Sequence, residues 1–241
     1  MLSFVWDRDP EEAFSNPYEY TAQKQFVKEA RVILQELKCR INPRVLRYSR
    51  DDKSAEKAIW MLRVDTLDSL CEALELIEEK RHRPAARLFR DALETADLAH
   101  YFASKDEKSV IVLRKWYLNS SPNHGSIRKW LENVEGTSRA KCRSRLYSDL
   151  SRFTHRTYRA LLKSYSLGGD DRLVHDGWST SRMLVLPHTI AAYYCILAML
   201  IQIFVGQLHA DGAMTSEDVA RLWDVKYEHD STRGDLPSSG D

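Results

Sequence analysis

IAAYYCILAMLIQIFVG, residues 190–206, is apolar on every side of a helix. A helix with no polar face belongs in the middle of a bundle or across a bilayer. The run has 17 residues, just under the roughly 20 that a span needs. Gln202 interrupts it, and His188 and His209 flank it where Lys or Arg anchors would sit. Its tyrosines, Tyr193 and Tyr194, lie inside the run and not at its ends as an aromatic belt would. The favoured reading is a central helix over 188–210 wrapped by others, with a single membrane span as the weaker alternative.

The flanking sequence supplies the wrapping helices. Phe26, Ala30, Ile33 and Leu37 recur at helical spacing over 20–40, and Asn42-Pro43 ends that helix. Trp60, Val64, Leu67, Leu70, Leu74 and Ile77 mark a helix over 51–79, capped by Asp51 or Asp52. Pro84 suits a first turn and opens a helix to 103. Its stripe of Ala85, Phe89, Ala92, Ala96, Ala99 and Ala103 allows close backbone approach. Shorter helices are expected over 106–118 and 126–134. A long amphipathic one follows over 137–166, with Leu146, Tyr147, Leu150, Phe153, Tyr158, Leu161 and Tyr165 on its apolar face and Gly168-Gly169 stopping it. A short hairpin is expected around Asp176-Gly177. Thr215 and Asp218 have capping-box spacing and start a last helix to about 228. The fold class is therefore all-α, a bundle of six or seven helices around 188–210. The expected organisation is an irregular arm over 1–18, one helical domain over 19–229 and a disordered tail over 230–241.

Composition narrows the function classes. The chain has 241 residues, 36 basic and 35 acidic side chains, for a formal net charge of +1. Such a balance gives no whole-chain drive toward nucleic acid or anionic lipid. Cys39, Cys71, Cys142 and Cys195 form no CxxC pair and read as small buried residues of a reducing compartment. The start, MLSFVWDRDPEEAF, lacks a basic n-region and an apolar core, so a cytoplasmic location is expected. No phosphate loop, Gly-x-Ser-x-Gly or HExxH occurs, and neither a metal nor a cofactor is expected.

Local clusters remain. Lys141, Arg145, Arg152, Arg156, Arg159 and Lys163 form a basic stripe that could track a phosphate backbone. The blander alternative is a solvated face, or one laid against the acidic run Asp65, Asp68, Glu72, Glu75, Glu78 and Glu79. His155 borders the apolar and basic faces. There it serves as a general acid or base with Arg152 or Arg159 holding an anion, or simply bonds a neighbouring helix. Arg90 reaches Glu94 at i,i+4 and Asp97 at i,i+7. Asp97-x-x-His100 has the spacing of half a carboxylate-bridged metal site, which needs a second acid–histidine pair and two more carboxylates; the other match, Glu79-x-x-His82, lies at a helix end, and no metal site is expected. Arg182 and His188 match the loose Arg-x4–6-His spacing of HEPN ribonucleases, yet Pro187 breaks the helix between them, and we read the match as coincidence.

Ala73-Leu74-x-Leu76-Ile77, then Pro84-Ala85-Ala86-x-Leu88-x-Arg90-x-x-x-Glu94, then Tyr147-x-x-Leu150-Ser151-x-Phe153-x-His155 resembles a set of uncharacterised bacterial helical-bundle families. These share an Arg-x-x-x-Glu helix, a Ser-x-Phe-x-His helix and an apolar final helix. They are distant analogues of abortive-infection and HEPN-like helical proteins. The resemblance spans roughly residues 55–210 and implies that Arg90, Glu94, Ser151 and His155 converge inside the bundle. Phage defence or stress response enters only through that analogy.

The functional expectation is a self-associating interaction or regulatory protein with a further protein partner. The alternatives are a ribonuclease-like effector using His155, or a membrane-anchored accessory protein.

Overall fold

The computed structural model describes residues 19–41, 48–79, 81–154, 158, 161, 165–167, 173–175 and 187–228. The arm over 1–18, the tail over 230–241, His155, Arg156, Arg159, Lys163, Gly168-Gly169, Asp176-Gly177 and Arg182 lie outside them. The described residues form eight helices: α1 (Glu19–Ile41), α2 (Ala55–Glu78), α3 (His82–Ala103), α4 (Glu107–Trp116), α5 (His124–Glu135), α6 (Thr137–Thr154), α7 (Pro187–Ala210) and α8 (Ser216–Glu228). A two-stranded antiparallel ribbon, β1 (Tyr165–Leu167) with β2 (Leu173–His175), is the one departure from an all-helical bundle among them.

Local chemistry sets the boundaries. α1 ends one residue before Asn42-Pro43. The N-cap of α2 is Ser54, whose hydroxyl accepts from the Lys57 N–H at 3.2 Å. Asp52 instead accepts from the Ser54 backbone and hydroxyl, so it supports the cap without being it. Gly136, at φ 83°, turns the chain between α5 and α6, where a side chain would be strained. The helix expected over 137–166 does not reach its last residues: Tyr158 and Leu161 are helical, but Tyr165 lies in β1, which pairs with Leu173–His175. Tyr158 and Leu161, expected on the buried face, are exposed.

The apolar residues gather into two clusters. The larger joins α1, the C-terminal half of α2, the first half of α3, Leu150 of α6, α7 and Leu222 of α8. The smaller joins Ala58, Ile59 and Leu62 of α2 with Leu98, Ala99, Tyr101 and Phe102 of α3, Leu113 of α4, and Ile127 and Leu131 of α5. The face of α2 therefore shifts: its first half buries Ile59 and Leu62, while the expected Trp60 and Val64 are half-buried. α2 and α3 pack more extensively than any other pair. Ala85, Ala92, Ala96 and Ala99 all lie buried in the chain's own core, so the small-residue stripe offers no surface to a second copy. Cys39 and Cys142 are exposed, and Cys71 and Cys195 half-buried, contrary to the expected burial of all four.

α7 is the central helix. Tyr193, Leu197, Leu200, Ile201, Phe204 and Leu208 face the core. The window Tyr193–Ala210 is apolar and long enough to cross a membrane by composition, but half of it is buried among the other helices.

The capping box at Thr215 forms as expected. The Thr215 N–H donates to Asp218 at 2.9 Å, and the Asp218 N–H donates to the Thr215 hydroxyl at 3.1 Å. Arg40 adds an ion pair to Asp218 at 2.6 Å, tying α1 to α8. The Thr215 hydrogen bonds and Arg40 hold the Asp218 carboxyl at about 2. A depressed carboxyl stabilises the fold above its unfolded value and loses that contribution as pH falls toward the folded one. The melting-temperature gap between the wild-type chain and Asp218→Asn should thus be present at pH 6 and close between about pH 4 and 2. A second expectation concerns the α2–α3 contact: Ala92→Leu should destabilise by about 1–3 kcal/mol in chemical unfolding, because the core has no room for it.

Candidate functional site

A polar seam runs between the two apolar clusters. On α3, residues up to Ala96 belong to the larger cluster and residues from Leu98 to the smaller. Asp97 and His100 sit at the join, and both are buried. On α2, Arg63 and Thr66 mark the same level. The seam has two linked parts, one around Asp97 and one around His100.

Asp97 accepts from the Arg143 guanidinium of α6 and from Gln207 Nε2 of α7 at 2.9 Å. The second Arg143 nitrogen donates to Glu135 at 2.5 Å. Burial is the largest influence on Asp97 and pushes its carboxyl up. Arg143 and Gln207 oppose that push, and Glu135 adds to it. Three helices, α3, α6 and α7, thus meet on one carboxylate.

His100 is held by Asp211, with Nδ1 at 2.6 Å from Oδ1. Arg63 takes the other Asp211 oxygen at 2.8 Å. A carboxylate accepts only, so Nδ1 carries the proton and Nε2 is the remaining ring nitrogen. The His100 ring also meets Trp130 edge-on at 5.1 Å. Asp211 is placed by a Schellman turn. The Ala213 N–H donates to Leu208 O at 2.8 Å and the Gly212 N–H to His209 O at 3.0 Å, with Gly212 at φ 71°.

Above the seam, α5 and α6 on one side and α7 on the other enclose a cleft of about 700 Å³. His100, Glu135, Arg143 and Gln207 supply its polar groups, and Leu146, Ile203 and Met199 line it with apolar surface. Val134 and Met199 are exposed at its edge. Gly206 leaves it open, since a Cβ there would meet nothing within 4 Å.

The expected site residues divide. Arg90 pairs with Glu94 at 2.8 Å and donates to the Tyr147 hydroxyl at 2.9 Å. Arg90 and Arg128 lie over the Tyr147 ring at 5.2 and 4.2 Å. His124 approaches Glu94 at 3.4 Å. Burial raises the Glu94 carboxyl, but Arg90, Tyr147 and His124 outweigh it and lower it overall. Asp97 is not the second partner of Arg90; it bonds Arg143 and Gln207. The Ser151 hydroxyl donates back to Tyr147 O at 2.8 Å, within its own helix. His155, Arg159, Arg156 and Lys163 lie outside the described residues. Of the basic stripe, Lys141, Arg145 and Arg152 are exposed, and Arg152 pairs with Asp149 at 3.3 Å. α6 packs on α3 and α5, away from the acidic run. That run finds partners elsewhere, with Glu78 meeting Arg31 at 2.7 Å. Asp97 and His100 turn to different partners, and no group of three or more His, Cys, Asp or Glu side chains able to hold a metal occurs among the described residues.

Arg63, Glu135, Arg143, Gln207 and Asp211 were missed by sequence reading. One signal existed. Asp211 follows a helix C-terminus, where the macrodipole disfavours an acid, so it needed cationic partners from elsewhere. No known protein family, curated protein or solved structure matches the chain.

Removing one member of a buried ion pair strands the other. Arg143→Met should cost about 3–5 kcal/mol in chemical unfolding, and adding Asp97→Leu should restore most of it. A single variant as stable as the wild-type chain would show that Asp97 does not depend on Arg143.

Proposed function

We propose that this chain is a non-enzymatic, regulatory helical bundle that acts by association, first of all with a second copy of itself, in a bacterial cytoplasm. The observation that carries the reading is the divided character of α7. It is apolar enough to need burial all round, yet only half of its Tyr193–Ala210 window is buried, and Met199, Gln202 and Gly206 stand exposed on one side. The open side, with Met199 and Gln202 exposed, borders the cleft and carries no Asp, Glu, Lys or Arg of its own. Apolar surface of this kind, rimmed by polar groups, marks interaction sites.

A membrane span would use the same helix. It fits less well, because the buried side of α7 supplies Leu197, Ile201 and Phe204 to the core and Gln207 to the Asp97 network. Leaving the bundle would break both. A stress or phage-defence role rests on the family resemblance alone.

One observation favours a second reading. Lys141, Arg145 and Arg152 are exposed and unopposed by the acidic run, as a phosphate-tracking face requires. On that reading the chain is a ribonuclease-like effector using His155, with Arg152 or Arg159 holding the scissile phosphate.

Light scattering on detergent-free protein at micromolar concentration tests the association. Twice the chain's mass is expected, falling to one mass in Met199→Arg with unchanged helical circular dichroism. A monomeric wild-type chain would remove the reading. Co-eluting nucleic acid, with RNA cleavage lost in His155→Ala, would replace it with the second.

A further inference from the structure

The cleft between α6 and α7 has two unlike ends. Asp97 of α3 meets Arg143, while the earlier Arg90 meets the later Tyr147, so α6 runs opposite to α3. Phe89 meets Tyr193 and Asp97 meets Gln207, so α7 runs the same way as α3. The two walls of the cleft are therefore antiparallel. One end is set by Arg139 of α6 and Ala210 of α7, and the other by Leu146 of α6 with Ile203 and Met199 of α7. Met199 and Ala210 stand roughly 16 Å apart at the α-helical rise.

Charge separates the ends as well. Asp97 and Glu135 take the two terminal nitrogens of Arg143, so the ionic groups at the base of the cleft are spent on one another. Arg139 is exposed, and no described residue takes its guanidinium. Among the described lining residues it is the charge left for an incoming group, and it favours an anion. A guanidinium matches a carboxylate with two parallel N–H···O bonds. At the other end Leu146 and Ile203 are half-buried and Met199 is 45% exposed, an apolar surface that gains by being covered. Gln202 beside them is uncharged. Gly206 keeps the passage between the ends open, since a Cβ there would meet nothing within 4 Å.

We propose that this cleft binds a small amphipathic carboxylate, a single-chain acyl acid, with its head on the Arg139 guanidinium and its chain passing Gly206 toward Leu146, Ile203 and Met199. A head that carries one negative charge suits one unpaired arginine. A polyanion suits it less, because Glu135 stands in the same lining and would repel the excess charge. The residues used all belong to one chain, so the site goes beyond the association above and does not require it.

Titration calorimetry of the full chain with octanoate, octan-1-ol and octylamine, matched in their apolar part and kept below micellar concentration, tests the proposal. Saturable one-to-one binding is expected for octanoate, about five- to tenfold tighter than for the alcohol and tighter still than for the amine. Arg139→Gln, at an exposed position, should bring octanoate down to the affinity of the alcohol and leave the alcohol unchanged. Gly206→Leu narrows the passage without touching the polar network, and should abolish octanoate binding while the melting temperature holds. Equal affinity for the three probes would reduce the cleft to an apolar slot and overturn the proposal. So would the absence of saturable octanoate binding, or full octanoate affinity in either variant. A monomeric mass leaves this site standing, and failed octanoate binding leaves the association standing.

Discussion

The structure turns on one buried carboxylate. Asp97 sits in the centre of α3, where burial disfavours its charge, and only the convergence of Arg143 and Gln207 makes that position tenable. Those two residues come from different helices. Burying Asp97 therefore obliges α6 and α7 to approach α3 at one level and in one rotation. The Arg63–Asp211–His100 chain repeats the demand one turn further on, joining α2, α3 and the end of α7. Apolar packing alone would not be so exacting. Contacts among Leu, Ile and Phe are non-directional, and a helix apolar on every side, as α7 nearly is, has many nearly equivalent orientations.

The two apolar clusters and the seam between them thus divide the labour. The clusters supply the larger part of the burial, and the seam selects among arrangements that burial would accept. Buried ion pairs contribute little net stability while penalising any arrangement that separates them. The cleft is a by-product of this division. Arg143 and Gln207 reach inward to Asp97, and above them α6 and α7 are left apart, with Gly206 providing no side chain to close the gap.

Much of the frame was legible because helical periodicity and end signals are local. Asn42-Pro43 gives the end of α1, Thr215 and Asp218 the start of α8, and the apolar run at 190–206 the core helix. The i,i+4 pair Arg90–Glu94 is local too, and it forms. What failed was long-range or finely balanced. Periodicity places Asp97 on a face of α3, but nothing in its neighbourhood points to Arg143 or to Gln207, 110 residues away. The basic stripe and the acidic run looked complementary by charge, but α6 packs on α3 and α5 instead. The helical pattern holds at Tyr158 and Leu161, but its last turn loses to strand pairing, and the chain enters β1 at Tyr165. Ser54 prevailed over Asp51 and Asp52 as a cap because Asp52 is spent on holding Ser54 in place.

The seam also fixes an order of assembly. α2 and α3 are neighbours in the chain and can pair early, at a small cost in loop closure. At that stage Arg63, Asp97 and His100 are still in water. Their partners Gln207 and Asp211 arrive 110 to 148 residues later, and only then can the charges be shut away. A nascent chain that ends before Gln207 carries a hydrated, unfinished interior, so this bundle becomes one object only with the arrival of α7.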